Sequence, residues 1–386
     1  MSNDSPSVLM GTPGGDPPYA LTVVTLRLRA TADEQITLPP AAGSSLRGAF
    51  GHALRLVGCA LGRDGMCAES CMRNQQASEA GELTTCVYGY LFETPHPPGA
   101  PLQEKQQEVP RPFVLRPLPT MSGPHDAGAW IEYEITLIGY AINCAPAVLE
   151  TCVMMGRMGL GAGRGAMSVR EVWECAPFGL ERRLLPWGQL VPTMSAGWDD
   201  AVARAALLPH DQVVVRFLTP THLKRGETAV RRPEFSTLMR ALLRRMTLLA
   251  LYHGGAVDRA RMAALAAQAE RVRLVAWEGR TQTWQRYSSR QNAAMAFHGL
   301  VGVAVYSGDL TPFLPYLVFG QAIHVGKAST FGEGHYTLLH DPSASEPPST
   351  AAATQARASE GTQGLEGAAV RGTGHDEAQG QATEAR

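Results

Sequence analysis

The runs Met155-Gly-Arg-Met-Gly-Leu-Gly-Ala-Gly-Arg-Gly165 and His324-Val-Gly-Lys-Ala-Ser-Thr-Phe-Gly-Glu-Gly334 decide how this chain is read. Each follows an apolar helical stretch, leads into a short strand and carries cations among its glycines: Arg157 and Arg164 in the first, Lys327 in the second. Glycine lets backbone N–H groups come close to an anion, and an interleaved Arg or Lys adds charge. Gly326, Gly332 and Gly334 are the amide-bearing candidates of the second run. A phosphate-bearing partner is therefore the first functional expectation, against a tight turn with exposed charges for either run alone. Neither run is a nucleotide-binding loop, because no Gly-Lys-Ser/Thr opens a helix and the glycines precede strands.

Outward from the first run, residues 20–30 read as a strand with Val24, Leu26, Leu28 and Ala30 on one side and Thr25, Arg27 and Arg29 on the other. Ser44 or Ser45 can cap a helix to about residue 59, striped by Leu46, Phe50, Leu54 and Val57. A cysteine-bearing, loop-rich segment runs to about residue 110, then a strand spans 112–118. Residues 130–140 alternate cleanly, residues 145–155 are helical, and a strand at 166–173 follows the glycines. The second half repeats this order. A strand at 211–218 precedes a helix at 233–253, extended segments lie at 271–277 and 282–288, and a buried strand occupies 295–306. A helix at 312–323, the second glycine run and a strand at 335–340 complete it. Strand–helix–strand–strand–helix–strand is the ferredoxin-like signature. The expected class is α+β: two tandem ferredoxin-like (RRM-like, βαββαβ) domains, each closing with a glycine-rich loop.

The expected boundaries are a disordered N-terminus at 1–17, a first domain at 18–175 with a cysteine-bearing insertion at 59–110, and a linker at 176–208. A second domain follows at 209–340, then a disordered tail at 341–386, rich in Ala, Gly, Glu, Thr and Ser. A content of 45% hydrophobic and 18% charged residues over 386 residues fits a soluble chain of two ordinary domains. No apolar run reaches membrane-spanning length and no signal-peptide pattern opens the chain, so cytoplasm is the expected compartment and no membrane partner is expected. The net charge of −1 masks acidic ends around a net-positive body whose cations are nearly all arginine. Arginine's planar fork suits phosphates and base edges.

Four stretches together resemble the CRISPR precursor-RNA processing endoribonucleases of the RAMP superfamily. They are Gly43-Ser-Ser-Leu-Arg-Gly-Ala-Phe-Gly-His-Ala-Leu-Arg55, Cys86-Val-Tyr-Gly-Tyr-Leu-Phe-Glu93, and Phe217-Leu-Thr-Pro-Thr-His-Leu-Lys224 with Pro233-Glu-Phe-Ser-Thr-Leu238 and Arg244-Arg245. The fourth is Arg286-Tyr-Ser-Ser-Arg290 with Gly299-Leu-Val-Gly302 and His324–Gly334. The likeness spans about residues 20–340. It implies metal-independent cleavage of CRISPR repeat RNA: the ribose 2′-hydroxyl attacks the adjacent phosphate, leaving a 2′,3′-cyclic phosphate and a 5′-hydroxyl. A non-catalytic RNA-binding subunit of a CRISPR effector complex is the alternative, and subunits of such a complex are candidate partners.

That chemistry needs a proton-transfer group and cations for the phosphorane. The resemblance points to His52, on the first helix, with His324 as alternative. Arg47, Arg55, Arg157, Arg164, Arg286, Tyr287, Arg290, Gly326, Lys327, Gly332 and Gly334 are the expected RNA contacts, with Tyr88 a neighbour of His52. His298 reads as a core group, His222 and His253 flank the basic helix with nothing beyond possible contacts assigned, and Arg240, Arg244 and Arg245 read as a solvated helix face. Catalysis calls for no cofactor. Cys59, Cys67, Cys71 and Cys86 could hold a structural zinc, although the spacing is not a clean pair of CxxC motifs; scattered or partly paired cysteines are the other reading.

Overall fold

In the computed structural model the described residues are 18–58, 86–94, 109–175, 181–184, 194–255, 257–288 and 293–339. The expected terminal tails, most of the cysteine segment and Arg290 lie outside them.

The first half runs β1 (Val23–Ala32), β2 (Ile36–Leu38), α1 (Ala42–Gly58), β3 (Phe113–Pro117), β4 (Gly123–His125), β5 (Trp130–Ile138), α2 (Ala145–Met158), β6 (Met167–Cys175) and β7 (Glu181–Leu184). The alternation in β1 and β5 does what period two demands. Val24, Leu26, Leu28, Ile131, Tyr133, Ile135 and Leu137 are wholly buried against Leu46, Phe50 and Leu54 of α1 and Val148, Cys152 and Met155 of α2. The sheet is antiparallel in the order β3-β5-β1-β6-β7.

After α3 (Trp198–Ala205), the second half runs β8 (Gln212–Thr221), the short pair β9 (Lys224–Arg225) and β10 (Thr228–Ala229), α4 (Phe235–His253), α5 (Arg259–Gln268), β11 (Arg273–Ser288), β12 (Ala293–Ser307), α6 (Leu314–Ile323) and β13 (Tyr336–Leu339). Its sheet order is β11-β12-β8-β13. With β1, β3, β5 and β6 numbered one to four in the first sheet, and β8, β11, β12 and β13 likewise in the second, both read two-three-one-four. The segment expected as a linker carries β7 and α3. The two extended segments expected at 271–288 are one strand, paired along its length with β12.

The halves are not separate bodies. The far ends of the first sheet, at Val23, Val114 and Ile138, belong to the same apolar cluster as Phe217, Leu242, Met246, Leu317 and Val318 of the second half. Beyond them the same face of the first sheet turns polar. Glu134, only 5% exposed, receives Arg27 at 2.9 Å and pairs with Arg116. Burial works to raise the Glu134 pKa, but the two guanidinium groups hold it below the usual carboxylate range. At the other edge of the contact, Tyr90 donates to His253 Nδ1 at 3.1 Å while His253 Nε2 donates to the Pro110 carbonyl at 2.7 Å.

Candidate nucleic-acid interface

The second glycine run starts where α6 ends. His324 takes φ 63 and ψ 170, a region few side chains tolerate, and its N–H closes the helix on the Gly320 carbonyl at 2.9 Å. The run is then sewn to the end of β8. Gly334 N–H reaches the Pro220 carbonyl at 3.2 Å, Thr219 Oγ1 donates to the Gly332 carbonyl at 2.9 Å, and His335 N–H donates back to Thr219 Oγ1 at 2.9 Å.

Its other flank rests on the first half. A Cβ at Gly43 of α1 would collide with the Phe331 carbonyl oxygen, so only glycine allows this approach. Arg47, one turn along, lies between two rings, 4.2 Å from the Phe92 centroid and 4.7 Å from that of Phe331. Phe92 in turn stacks on Tyr88 and on Phe113. The contact therefore ties α1, the turn at 88–93, β3 and the glycine run into one surface.

On α1, the apolar stripe of Leu46, Phe50, Ala53 and Leu54 faces the core and leaves His52 exposed on the solvent side. Arg55 is half-buried, its Nε without a hydrogen-bond acceptor among the described residues. Lys327 is exposed on the second run and Arg157 and Arg164 on the first. The first run is closed by paired hydrogen bonds between Leu160 and Gly165, 2.8 and 3.1 Å, with Arg164 in the left-handed region at φ 50. Arg286 and Tyr287 lie on β11 opposite Met295 and Ala294. Cys86 caps its turn: its Sγ donates to the Gly58 carbonyl at 3.5 Å and accepts from Gly89 N–H at 3.4 Å. Cys59, Cys67 and Cys71 lie outside the described residues.

Two histidine assignments and one arginine change. His324, expected as an alternative catalytic group, is 2% exposed, donates from Nδ1 to the Glu333 carbonyl at 3.0 Å and stacks on His335. Burial and the nearby Arg116 push its pKa down to about 3, so it is a neutral packing group at neutral pH. His253 is likewise buried, and burial lowers it to about 4. His298, expected in the core, is exposed and bonds through Nδ1 with Thr283 Oγ1 at 2.9 Å. Arg245, expected on a solvated face, turns inward: Nε donates to the Ile323 carbonyl at 2.9 Å, and burial lowers its pKa to about 10.

Two groups drew no site assignment from the sequence. Glu333, on the second run, is pushed up to about 8 by burial. His222, just past β8, meets that run from the other side: a Cβ at Gly326 would come within 2.5 Å of its carbonyl oxygen. Neither position matters until the run folds back on β8, a contact that sequence spacing does not encode.

Comparison with known proteins falls on the same regions. Residues 215–336 match the family model of the CRISPR-associated endoribonuclease Cas6, and residues 21–191 match a model described as an N-terminal domain. No curated protein matches. Among solved structures, the chain is similar to a partial Cas6-RT-Cas1–Cas2 complex at 11% identity, with a TM-score of 0.51 over 86% of this chain and 48% of that one. It is also similar to a Cas6 product complex at 16% identity and to Thermus thermophilus Cas6 at 15%. Those two likenesses cover 82% and 83% of this chain and 99% of each of the others, with TM-scores of 0.49 and 0.46. At these identities the structural likeness is one of fold.

Proposed function

Because the chain belongs to the CRISPR-associated Cas6 endoribonuclease family, whose domain it carries at residues 215–336, we propose that it binds CRISPR repeat RNA and cuts the precursor transcript into guide RNAs without a metal. The ribose 2′-hydroxyl attacks the adjacent phosphorus, the bond to the 5′-oxygen breaks, and that oxygen leaves as a hydroxyl. A 2′,3′-cyclic phosphate remains on the upstream fragment. His52 exchanges the proton, since an imidazole nitrogen can both accept and donate one. Lys327, Arg47 and Arg55, with the amide of Gly326, supply positive potential for the phosphorane, while Gly332 and Gly334, whose N–H groups are donated to the Ser329 and Pro220 carbonyls, let the RNA backbone approach the loop closely. Arg157 and Arg164 extend the cationic track, and Arg286, Tyr287 and Arg290 offer stacking and phosphate contacts to the single strand.

The observation that carries this reading is the contact of the second glycine run with α1, through Gly43, Arg47 and Phe331. It joins the helix bearing His52 to the amide-rich loop across a sequence separation that would otherwise leave them unrelated. The two-three-one-four strand order in both sheets supports reading each half as a ferredoxin-like domain with a glycine-rich closing loop. We further propose a structural zinc on Cys59, Cys67, Cys71 and Cys86, which metal content well below one zinc per purified chain would reject; among the described residues alone no metal-holding cluster occurs. Other CRISPR proteins are candidate partners. No helix among the described residues is long and apolar enough to cross a membrane.

The test is incubation of repeat RNA with the purified chain in EDTA, with product ends identified. Cleavage to 5′-hydroxyl and cyclic-phosphate ends is expected, and His52→Ala should slow single-turnover cleavage by about 100-fold or more. Tight binding with no cleavage would favour the non-catalytic subunit instead, and an unimpaired His52→Ala would remove His52 from the chemistry.

A further inference from the structure

The end of the second glycine run that faces away from α1 packs against a group of cations and histidines. His222 projects from the segment after β8, and its carbonyl abuts Gly326. Lys327 follows Gly326 and is exposed, while Lys224 begins β9 two residues after His222. Both ammonium groups lie close enough to act electrostatically on the His222 ring. Lys224 also pairs at 3.1 Å with Glu227, whose own side chain is 98% exposed. His298 borders the group from β12.

The chemistry of the ring is fixed by one hydrogen bond. His222 Nδ1 lies 2.8 Å from the His298 backbone carbonyl, which can only accept. The proton therefore sits on Nδ1, and Nε2 presents a lone pair. That Nε2 is shielded from solvent and has no hydrogen-bond partner among the described residues. Burial and the two lysines lower the His222 pKa, which keeps the ring in this acceptor form near neutrality. An unpaired buried acceptor beside two cations calls for a ligand with a hydroxyl donor next to a negative charge. In RNA the ribose 2′-hydroxyl stands beside the 3′-phosphate on every nucleotide; DNA has the phosphate and lacks the donor.

We infer that His222, Lys224 and Lys327 form a ribose-reading subsite, in which His222 Nε2 accepts the 2′-hydroxyl of one nucleotide and the two lysines hold the adjoining phosphate. The subsite requires that the side chains over Nε2 turn aside when RNA binds. The subsite rests on the RNA-binding reading above and adds a discrimination that the glycine amides cannot make, since backbone N–H groups bind the phosphate of either nucleic acid. His222 and Lys224 need no role in bond breaking, and Lys327 serves both this subsite and the phosphorane.

The test compares binding of single-stranded oligouridylate and oligodeoxyuridylate of equal length by fluorescence anisotropy. Wild type should prefer the RNA. His222→Ala should weaken RNA binding by about 5- to 10-fold, the size of one net hydrogen bond, and leave DNA binding unchanged. Lys327→Ala and Lys224→Ala should weaken both ligands alike and flatten the salt dependence of each by about one charge. If His222→Ala does not fold, His222→Leu, which fills much of the ring's volume but offers no acceptor, gives the same comparison. Equal losses on RNA and DNA, or no loss in a folded His222 variant, would overturn the subsite while leaving the RNA-binding reading intact. A wild type that binds neither ligand and no repeat RNA would overturn both.

Discussion

Mild acid should loosen the contact between the two halves, and the size of the effect follows from two buried histidines. His324 and His253 are 2% and 1% exposed, donate to backbone carbonyls, and titrate at about 3 and about 4 in the folded chain. Burial is the main cause for both. Arg116 and Arg245 face His324, together with the stacked His335; Arg245 and Tyr90 face His253. In the unfolded chain each titrates near 6.5, about the ordinary value. Below that pH the unfolded state takes up protons that the folded state refuses, so stability is intact above about 6.5 and declines down to the folded values. Between pH 7.5 and 5.5 the linkage amounts to about 1.4 kcal/mol for each histidine, or about 3 kcal/mol for the pair. Urea unfolding midpoints at pH 7.5, 6.5 and 5.5 measure it. A His324→Asn/His253→Gln variant starts from a lower baseline but should lose about 3 kcal/mol of that pH dependence, which separates these groups from the carboxylates. Asparagine suits position 324 because it tolerates positive φ. Parallel stability curves for wild type and variant would mean that both imidazoles titrate as exposed groups, and the described docking of the halves would be wrong.

Two further outcomes probe the same surfaces. Gly43→Ala should cost about 1–3 kcal/mol and reduce repeat-RNA cleavage, because the new methyl must displace the Phe331 carbonyl. Gly48→Ala on the same helix meets nothing within 4 Å, and should leave cleavage unchanged while adding up to about 1 kcal/mol of stability in urea; a stable, active Gly43→Ala would separate the glycine run from α1. Glu134→Gln leaves Arg27 and Arg116 without their carboxylate and should destabilise by about 3 kcal/mol in urea at pH 7, and a change under 1 kcal/mol would show that the pair is solvated.

How far the sequence alone could be read depended on the range of the forces involved. Strands and helices that bury one face announced themselves: β5 alternates Ile131, Tyr133, Ile135 and Leu137 with Glu132, Glu134 and Thr136, and its apolar side is buried throughout. The element order came from such periods, whereas the family likeness rested on particular stretches such as Gly43–Arg55 and His324–Gly334. α5 escaped because its Arg-Ala-Arg-Met-Ala-Ala-Leu run buries only Met262 and Leu265, too few positions for a stripe. β11 seemed broken because Gly279 interrupts its pattern, yet it continues opposite Gly302 of β12.

The candidate site was legible in its parts and illegible in its assembly. Residue type and local pattern marked the glycine runs and their cations. They could not foretell that the second run is packed on two flanks, because each flank is completed by a partner remote in sequence. Phe331 meets Gly43 and Arg47 on one side; Gly326 meets His222 on the other. The same long-range docking reversed the histidines. His324, beside a promising loop, is swallowed by the contact between halves, whereas His222 gains a fixed tautomer and two cationic neighbours. A histidine's role in this chain is thus set by what packs on it from the opposite half or strand. It follows that α1 variants should change how RNA is cut, and His222 variants how RNA is told from DNA. A His222 substitution that altered the cutting step alone would show that the two flanks of the loop act as one site.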